Sequence, residues 1–179
     1  MAKKPAATQM TPEEIDAFLD SQRTVLFVTI RRDGSPVAHP VWFTRLGENI
    51  YVNTRSDSLK SRNVARDPRV CATVEAGETY FELRGVRIEG RCQRVDDPDE
   101  IARVEAAQAE KDRRIGSGMG ETPEWFPESR SRRLGRGERV LLRIPIERVY
   151  AWDFSKLRGH YAGSGSPRRV DAIKGRMES

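Results

Sequence analysis

The sequence has few of the residues that build covalent or metal-bound frameworks. It contains only two cysteines, Cys71 and Cys92, and two histidines, His39 and His160. No CxxC pair or Cys/His cluster occurs, which argues against a structural zinc site. Both cysteines fall inside predicted strands, so we interpret them as small buried hydrophobic residues in a reducing compartment, not as a disulfide. We expect no metal site.

Long apolar segments are also missing. No run approaches the roughly 18 apolar residues that a membrane-spanning helix needs. The first ten residues, MAKKPAATQM, lack the apolar centre of a secretory signal. We therefore expect a cytoplasmic protein that does not use a membrane as a partner.

Charge, in contrast, is abundant, and its balance is basic. Lysine and arginine number 32 against 27 aspartates and glutamates, which gives a formal net charge of +5. This balance favours anionic partners, such as nucleic acid or a phosphorylated cofactor. The arginines are spread over the whole chain and no exposed aromatic ladder accompanies them, so a basic nucleic-acid-binding barrel is the weaker alternative.

The length of 179 residues suits one domain, and its first half reads as a helix followed by a strand meander. Thr11-Pro12-Glu13-Glu14 fits a capping box that starts a helix reaching about Ser21. An Asp33-Gly34 hairpin turn then joins two β-rich runs. Residues 1–10 and 159–179 are expected to be disordered tails around a domain at 11–158. The predicted strands are Val25–Ile30, Ser35–Arg45 and Ile50–Thr54.

The second half continues with a basic helix at Ser58–Arg66 and further strands, at Val70–Glu75 and Tyr80–Val95. A helix is predicted from Asp96 to about Arg114, then an irregular segment at 115–137 and a last strand at Val140–Phe154. Glycines inside the long strand and short hairpins favour a curled sheet. The fold class predicted from this order is α+β, with a mainly antiparallel barrel.

The stretch from Tyr51 to Arg69 carries the clearest chemical signal. A strand turns through Arg55-Ser56-Asp57 into the basic helix, for which Asp57 or Ser58 is the candidate N-cap. Free backbone N–H groups and the helix dipole favour an anion there, and Lys60 in the first turn adds a full positive charge. The alternative is that this helix is only a solvated surface.

The second predicted strand contains Pro36 and Pro40. Because proline cannot donate to a ladder, this strand must bulge or lie at an edge near Pro40. Backbone groups around Pro40-Val41-Trp42-Phe43 are then free to meet something other than a strand.

Three segments together resemble a known family. TIRRDGSPVAHPVWF, IYVNTRSDSLKSRNVARDPRV and ELRGVRIEGR are similar to segments of the split β-barrel flavoproteins related to pyridoxamine 5′-phosphate oxidase, especially the flavin/deazaflavin oxidoreductases of actinobacterial type. The resemblance covers about residues 11–155. It implies a homodimer that holds its cofactor at the subunit interface.

The resemblance also implies which residues meet the cofactor. Asn53 and Thr54 match the strand end that meets the flavin, and Ser58, Leu59 and Lys60 match a Ser-Arg-Lys triplet that holds its phosphate. Leu59 in place of arginine removes one charge, so only Ser58 and Lys60 keep that role by side chain. The strand edge beneath the ring is matched by Pro40, Val41 and Trp42.

Two departures from the oxidase itself bear on the activity. The arginine and lysine that flank its second strand are replaced here by Ala38 or His39 and by Phe43 or Thr44. Its Gln-Val-Arg-Val-Glu-Gly becomes a segment beginning at Gly85. Oxidation of pyridoxamine phosphate is therefore not expected. FMN is the expected cofactor, and the deazaflavin coenzyme F-420, whose acidic tail suits the surplus arginine, is the alternative.

Several other residues could contribute to a site, and each of them has two interpretations. His39 is either a proton donor to a substrate or a structural residue, and Trp42 either stacks on a ring or packs in a core. Trp152 either reaches a partner's cofactor site or packs at the barrel rim. The segment at 130–139, with five arginines, is a solvated loop or a contact for an anionic tail. No catalytic residue is assigned.

The resulting hypothesis is a flavin- or deazaflavin-dependent oxidoreductase, in which the cofactor carries the hydride chemistry and the protein supplies position and charge. A non-catalytic flavin-binding or flavin-storing protein of the same fold is the alternative.

Overall fold

The computed structural model describes residues 7–116 and 137–158, which form three helices and two antiparallel sheets. The helices are α1 (Pro12–Ser21), α2 (Leu59–Arg66) and α3 (Pro98–Ile115). Strands β1 to β5 span Thr24–Ile30, Pro36–Trp42, Thr44–Leu46, Asn49–Arg55 and Arg69–Ala76. Strands β6 to β9 span Arg84–Arg91, Gln93–Val95, Arg139–Pro145 and Arg148–Asp153.

The two sheets pack around a main apolar core, and a second, smaller cluster consists of Tyr51, Val95, Val104 and Leu141. A five-stranded sheet has the order β2-β1-β5-β6-β9, and a four-stranded sheet has the order β3-β4-β8-β7. Side chains that alternate inward from both sheets fill the space between them, including the fully buried Phe27, Ile88, Ile50 and Ile144. This confirms the predicted α+β class with a split, mainly antiparallel barrel.

Three of the predicted strands differ from the strands in the structure, because the chain passes from one sheet to the other within each of them. Ser35–Arg45 is two strands, because the chain leaves β2 at Trp42 and pairs with β4 from Thr44 onward. Val140–Phe154 is likewise two strands, β8 and β9, which break after Pro145 and join different sheets. In the second of these segments the core-facing positions shift from even numbers (Leu142, Ile144) to odd numbers (Val149, Ala151) at the break, so one uninterrupted strand could not hold both sets in the core.

The predicted strand Tyr80–Val95 also begins too early. Gly77 adopts φ +105° in the preceding turn, and Tyr80–Glu82 forms a single 3₁₀ turn before β6 starts at Arg84. Near its end, Cys92 donates its backbone N–H to the Pro68 carbonyl at 2.8 Å, and the chain then enters the other sheet as β7. Cys92 is buried as predicted, whereas Cys71 is only half-buried; both are free thiols.

Residues just before the predicted domain also contact it. The capping box at Thr11 is confirmed, since its hydroxyl accepts from the Glu14 N–H while its own N–H donates to the Glu14 carboxylate. Met10 is buried in the core, and the Thr8 carbonyl accepts from the Asp153 N–H at 2.8 Å. Residues 7–10 of the predicted tail therefore pack on the domain, while 1–6 and 159–179 lie outside the described residues.

Helix α3 docks on the β2–β3 corner through a buried polar layer. The Lys111 ammonium, in a residue that is only 5% exposed, donates to the Phe43 carbonyl at 3.1 Å and lies 3.9 Å from the centre of the Phe43 ring. Nearby, Arg23 pairs with Asp112 at 2.8 Å. Burial lowers the pKa of Lys111 to about 8, although Asp20 partly opposes the shift.

This lysine should give the protein an unusual alkaline stability profile. The folded chain releases the Lys111 proton near pH 8, whereas the unfolded chain keeps it to about 10.5. The unfolded state then binds more protons, so the free energy of unfolding should rise with pH, by about 2 kcal/mol between about pH 7.5 and 9.5. Chemical denaturation at several pH values measures this. The Lys111→Met variant should lack the rise; an equal slope in both proteins would contradict the assignment.

No helix in the described part of the chain is long and apolar enough to cross a membrane. In the same residues, no group of three or more His, Cys, Asp or Glu side chains is placed to hold a metal ion.

Candidate functional site

The site is built on the connection from β4 to α2. Ser58 is the N-cap of the helix: its Oγ accepts from the Ser61 N–H at 3.3 Å and lies 3.2 Å from the Thr54 hydroxyl. Asp57, the other candidate cap, is instead paired with Arg55 at 2.7 Å, and hydrogen bonds from Arg55 lower the pKa of the Asp57 carboxyl. The nearest acid at this helix start is therefore already neutralised.

The first turn of α2 leaves donors open. Ser61 and Arg62 give their N–H groups to the Ser58 side chain and carbonyl, but the described residues offer no acceptor to the N–H groups of Leu59 and Lys60. Unsatisfied N–H groups and the helix dipole together attract negative charge. The open end of α2 is thus a place where an anion would be stabilised.

Lys60 adds a full charge to this end of the helix. Its side chain is half-buried, and within the described residues it forms no ion pair. Burial lowers the pKa of Lys60, and the charge of Arg139 lowers it further. A cation that is partly withdrawn from water, next to a second cation and without a carboxylate, is unfavourable unless an anion joins it.

Arg139 also belongs to the candidate site, although no motif in the sequence singles it out. It stands at the start of β8 and donates to the Asn53 side-chain oxygen at 2.5 Å and to the Asn53 carbonyl at 3.0 Å. Sequence reasoning had grouped it with the arginine-rich segment at 130–139, whose other arginines lie outside the described residues. The β4–β8 register, which pairs Arg55 with Arg139, brings it to the site.

Strand β2 forms an open edge of the five-stranded sheet, as its prolines predict. Pro40 pairs with Leu26 and Pro36 with Ile30. Because the two prolines are four residues apart, their backbone nitrogens point to the same side of the strand. Proline is tolerated where its nitrogen faces away from the neighbouring strand. The backbone groups of Ala38 and Trp42, two residues on from each proline, then also face the open edge.

The three predicted β2 residues do not share one face. Pro40 is exposed on the outer face of the sheet, whereas Val41 packs against the core. Trp42 has Arg23 5.1 Å from its ring centre, which links it to the α3 corner. What the three residues share is their place on the edge strand, not a side-chain surface.

His39 lies on the inner face of β2, opposite the buried Phe27. Burial and the charges of Lys60 and Arg31 lower the pKa of its imidazole. The structure therefore brings His39, Lys60 and Arg139 into one electrostatic neighbourhood, in which Thr54 and Ser58 supply hydroxyls.

Two other predicted residues lie apart from these contacts. Leu59 is 39% exposed and turns its side chain to solvent at the helix start. Trp152, on β9, is paired with Gly85 of β6, and its ring covers that glycine so closely that a β-carbon there would lie 2.4 Å from a ring atom. Within the chain, Trp152 thus packs against β6 at the edge of the five-stranded sheet.

Residues 11–153 match the family model described as pyridoxamine 5′-phosphate oxidase. No curated protein matches the chain. Among solved structures, the conserved hypothetical protein Rv2991 from Mycobacterium tuberculosis is 33% identical, with a TM-score of 0.70, and the match covers 87% of this chain and 92% of that one.

Two further structures share the fold at lower identity. An F420 reductase is 20% identical, with a TM-score of 0.55 over 78% of this chain and 98% of that one. HutZ, described as the haem storage protein from Vibrio cholerae, is 16% identical, with a TM-score of 0.60 over 82% and 99% of the two chains.

Proposed function

Because this chain belongs to the pyridoxamine 5′-phosphate oxidase family, we propose that it is a flavin- or deazaflavin-dependent oxidoreductase acting on a small organic substrate. The single observation that carries the proposal is Lys60: a half-buried cation without a counter-ion among the described residues, at a helix end with open N–H donors. A phosphorylated cofactor supplies the missing anion.

The phosphate is held at the start of α2. Lys60 contributes charge, the Ser58 hydroxyl and the open N–H groups of Leu59 and Lys60 contribute hydrogen bonds, and Thr54 holds the Ser58 side chain from behind. Asn53, fixed by Arg139, lines the approach from β4. Charge-assisted hydrogen bonds of this kind are about twice as strong as neutral ones.

The ring system lies along the open edge of β2. Pro40, Val41 and Trp42 would lie beneath the ring; of these, Pro40 turns its carbonyl to the open edge, and such a group can accept a hydrogen bond from the polar rim of a flavin. When bound, the cofactor supplies hydride transfer, while the protein contributes position and electrostatics.

FMN is the cofactor that we propose first, and the deazaflavin coenzyme F-420 is the alternative. Both carry a hydroxyl chain that leads to a phosphate group, which is terminal in FMN and continues into the acidic tail in F-420, and this phosphate is the part that α2 would recognise. The fold relationship to an F420 reductase supports the alternative. Oxidation of pyridoxamine phosphate is not proposed, because uncharged Ala38 or weakly basic His39 stands where the oxidase has an arginine.

Cofactor binding is tested with the purified protein. Its absorbance spectrum and the mass of any co-purified small molecule identify a resident cofactor, and fluorescence titration with FMN and with F-420 gives the two affinities. We expect one of them to bind with a dissociation constant below about 100 μM. Failure of both to bind would overturn the proposed function.

Holding a cofactor without turnover is the second candidate function. The same fold occurs in a protein described as a haem storage protein, so the fold alone does not establish catalysis. Stopped-flow reoxidation of the reduced complex separates the two. An enzyme should be reoxidised rapidly by an organic acceptor, whereas a storage protein should retain its reduced cofactor.

We also propose that the protein is a homodimer, formed through the outer face of the five-stranded sheet. Leu26 is 42% exposed and Tyr150 49% exposed on this face. The strand registers place them in one row, with Thr73 and Arg87 between them and Pro40 at the end. Large exposed apolar side chains such as Leu26 and Tyr150 on one sheet face favour a surface that another protein covers.

The Leu26→Glu variant should separate the two protomers. A carboxylate placed on that face would be removed from water in the dimer, which costs several kcal/mol and should weaken association by about 100-fold or more. Sedimentation velocity over a range of concentrations measures this. As a control, Ala102→Glu adds the same charge on the exposed face of α3 and should leave the dimer intact. A dimer that survives Leu26→Glu would place the interface elsewhere.

A further inference from the structure

His39 carries a buried ring nitrogen that nothing in the described part of the chain satisfies. Its Nδ1 is almost fully removed from solvent and has no hydrogen-bond partner. Buried polar atoms are nearly always paired in folded proteins, so an orphan of this kind needs a specific explanation. A second orphan, the Arg87 Nε, lies 3.3 Å from the Glu89 carboxylate on the outer face and is explained by that neighbour.

The position of His39 points to the candidate site. It lies at the middle of the open strand β2, and its strand partner Phe27 is completely buried on the same face. Helix α2 packs against the end of that face, where Asn63 donates to the Thr29 hydroxyl at 3.0 Å. Lys60 belongs to the first turn of the same helix.

The charges around His39 determine its protonation state. The groups acting on it are Lys60 from α2 and Arg31 from the turn after β1; Arg139 from β8 acts on Lys60 in turn. All three are cations, and the two that act directly on His39 disfavour its charged form. Together with burial they lower the pKa of His39, so its imidazole is neutral at pH 7. One ring nitrogen is then a donor and the other an acceptor.

We propose that His39 is a ligand-contact residue of the site, and that its Nδ1 forms a hydrogen bond with a hydroxyl of the cofactor chain next to the phosphate held by Lys60. This inference rests on the proposed function. A hydroxyl fits because it both donates and accepts, so it satisfies Nδ1 in either tautomer of the neutral ring. Both FMN and F-420 carry such a hydroxylated chain beside the phosphate.

The contact predicts a particular pattern of affinities. Riboflavin has the hydroxyl chain of FMN but lacks the phosphate. The His39→Ala variant should therefore bind FMN and riboflavin about tenfold less tightly than the wild type, by the same factor for both. Its preference for FMN over riboflavin should be unchanged. The Lys60→Ala variant should instead lose most of that preference, because Lys60 contacts only the phosphate.

Fluorescence titration of the full chain with the two ligands tests the proposal, with F-420 and its dephosphorylated deazaflavin core as a second pair. Val37→Ala removes a half-buried side chain from the same face of β2 and should leave all affinities unchanged. His39→Asn, which places an amide near the position of Nδ1, should recover part of the loss. The melting temperature of the free His39→Leu protein should not fall, since an unpaired polar atom has been removed.

Two results would overturn the role of His39: unchanged affinities in His39→Ala, or a loss confined to the phosphorylated ligand of each pair. Failure of the proposed function gives a different result, because the wild-type chain itself would then show no saturable binding of any of the four ligands.

Discussion

Replacing Lys60 by alanine should weaken the binding of FMN, or of F-420 if that is the cofactor, by about 100-fold. Lys60 is the half-buried, unpaired cation at the start of α2, and the Leu59 and Lys60 N–H groups beside it have no acceptor within the described residues. Removing it deletes the one formal charge placed to meet the phosphate in the first turn of the helix. The measurement is equilibrium titration by quenching of flavin or deazaflavin fluorescence.

The control variant must remove one positive charge, as Lys60→Ala does, but far from the start of α2. Arg113→Ala does so, since Arg113 is exposed on α3 and pairs there with Glu110. It should bind the cofactor within about twofold of the wild type, because exposed charges far from a ligand are screened by salt. Lys60→Arg should retain most of the affinity. Equal binding by wild type and Lys60→Ala would show that the phosphate is held elsewhere.

The Gly85→Ala variant should be destabilised by about 2–3 kcal/mol. A β-carbon at this position would lie 2.4 Å from the Trp152 ring, so the indole must swing away from the sheet and lose its packing on β6. An aromatic residue across from a glycine is a known way to cover the gap that glycine leaves in a sheet. Urea denaturation of both proteins measures the difference.

A double-mutant cycle separates this clash from a general effect of alanine in a strand. Trp152→Ala alone should lose the buried ring surface, but in that background Gly85→Ala should cost less than about 1 kcal/mol, because the obstructing ring is gone. Additive effects of the two substitutions would show that the cost at Gly85 comes from backbone strain and not from Trp152.

The core of the candidate site could be predicted from sequence because its signals are local. A serine followed two residues later by a lysine at the start of a basic helix predicts a capped helix start with a positive charge. In the structure Ser58 is that N-cap, and Lys60 lies in the first turn of α2. The edge position of β2 was predicted in the same way from Pro36 and Pro40. Proline has no backbone N–H to donate to a second neighbour, so a strand that contains it is found at the edge of a sheet.

Other features depend on contacts between distant parts of the chain. Arg139 reaches Asn53 across 86 positions of sequence, through the pairing of β8 with β4. The division of Val140–Phe154 between two sheets was missed, although the apolar positions shift from even numbers before the break to odd numbers after it, at Val149 and Ala151. The orphan Nδ1 of His39 is visible only once β1, β2 and α2 have assembled around it.

The most direct test of the account is a crystal structure of the protein bound to FMN, or to F-420 if that ligand binds more tightly. We expect the phosphate at the start of α2, with its oxygens hydrogen-bonded to the Lys60 ammonium and the Ser58 hydroxyl and the ring system along the edge of β2. A bound cofactor whose phosphate lies away from α2, with Lys60 extended into solvent, would contradict it.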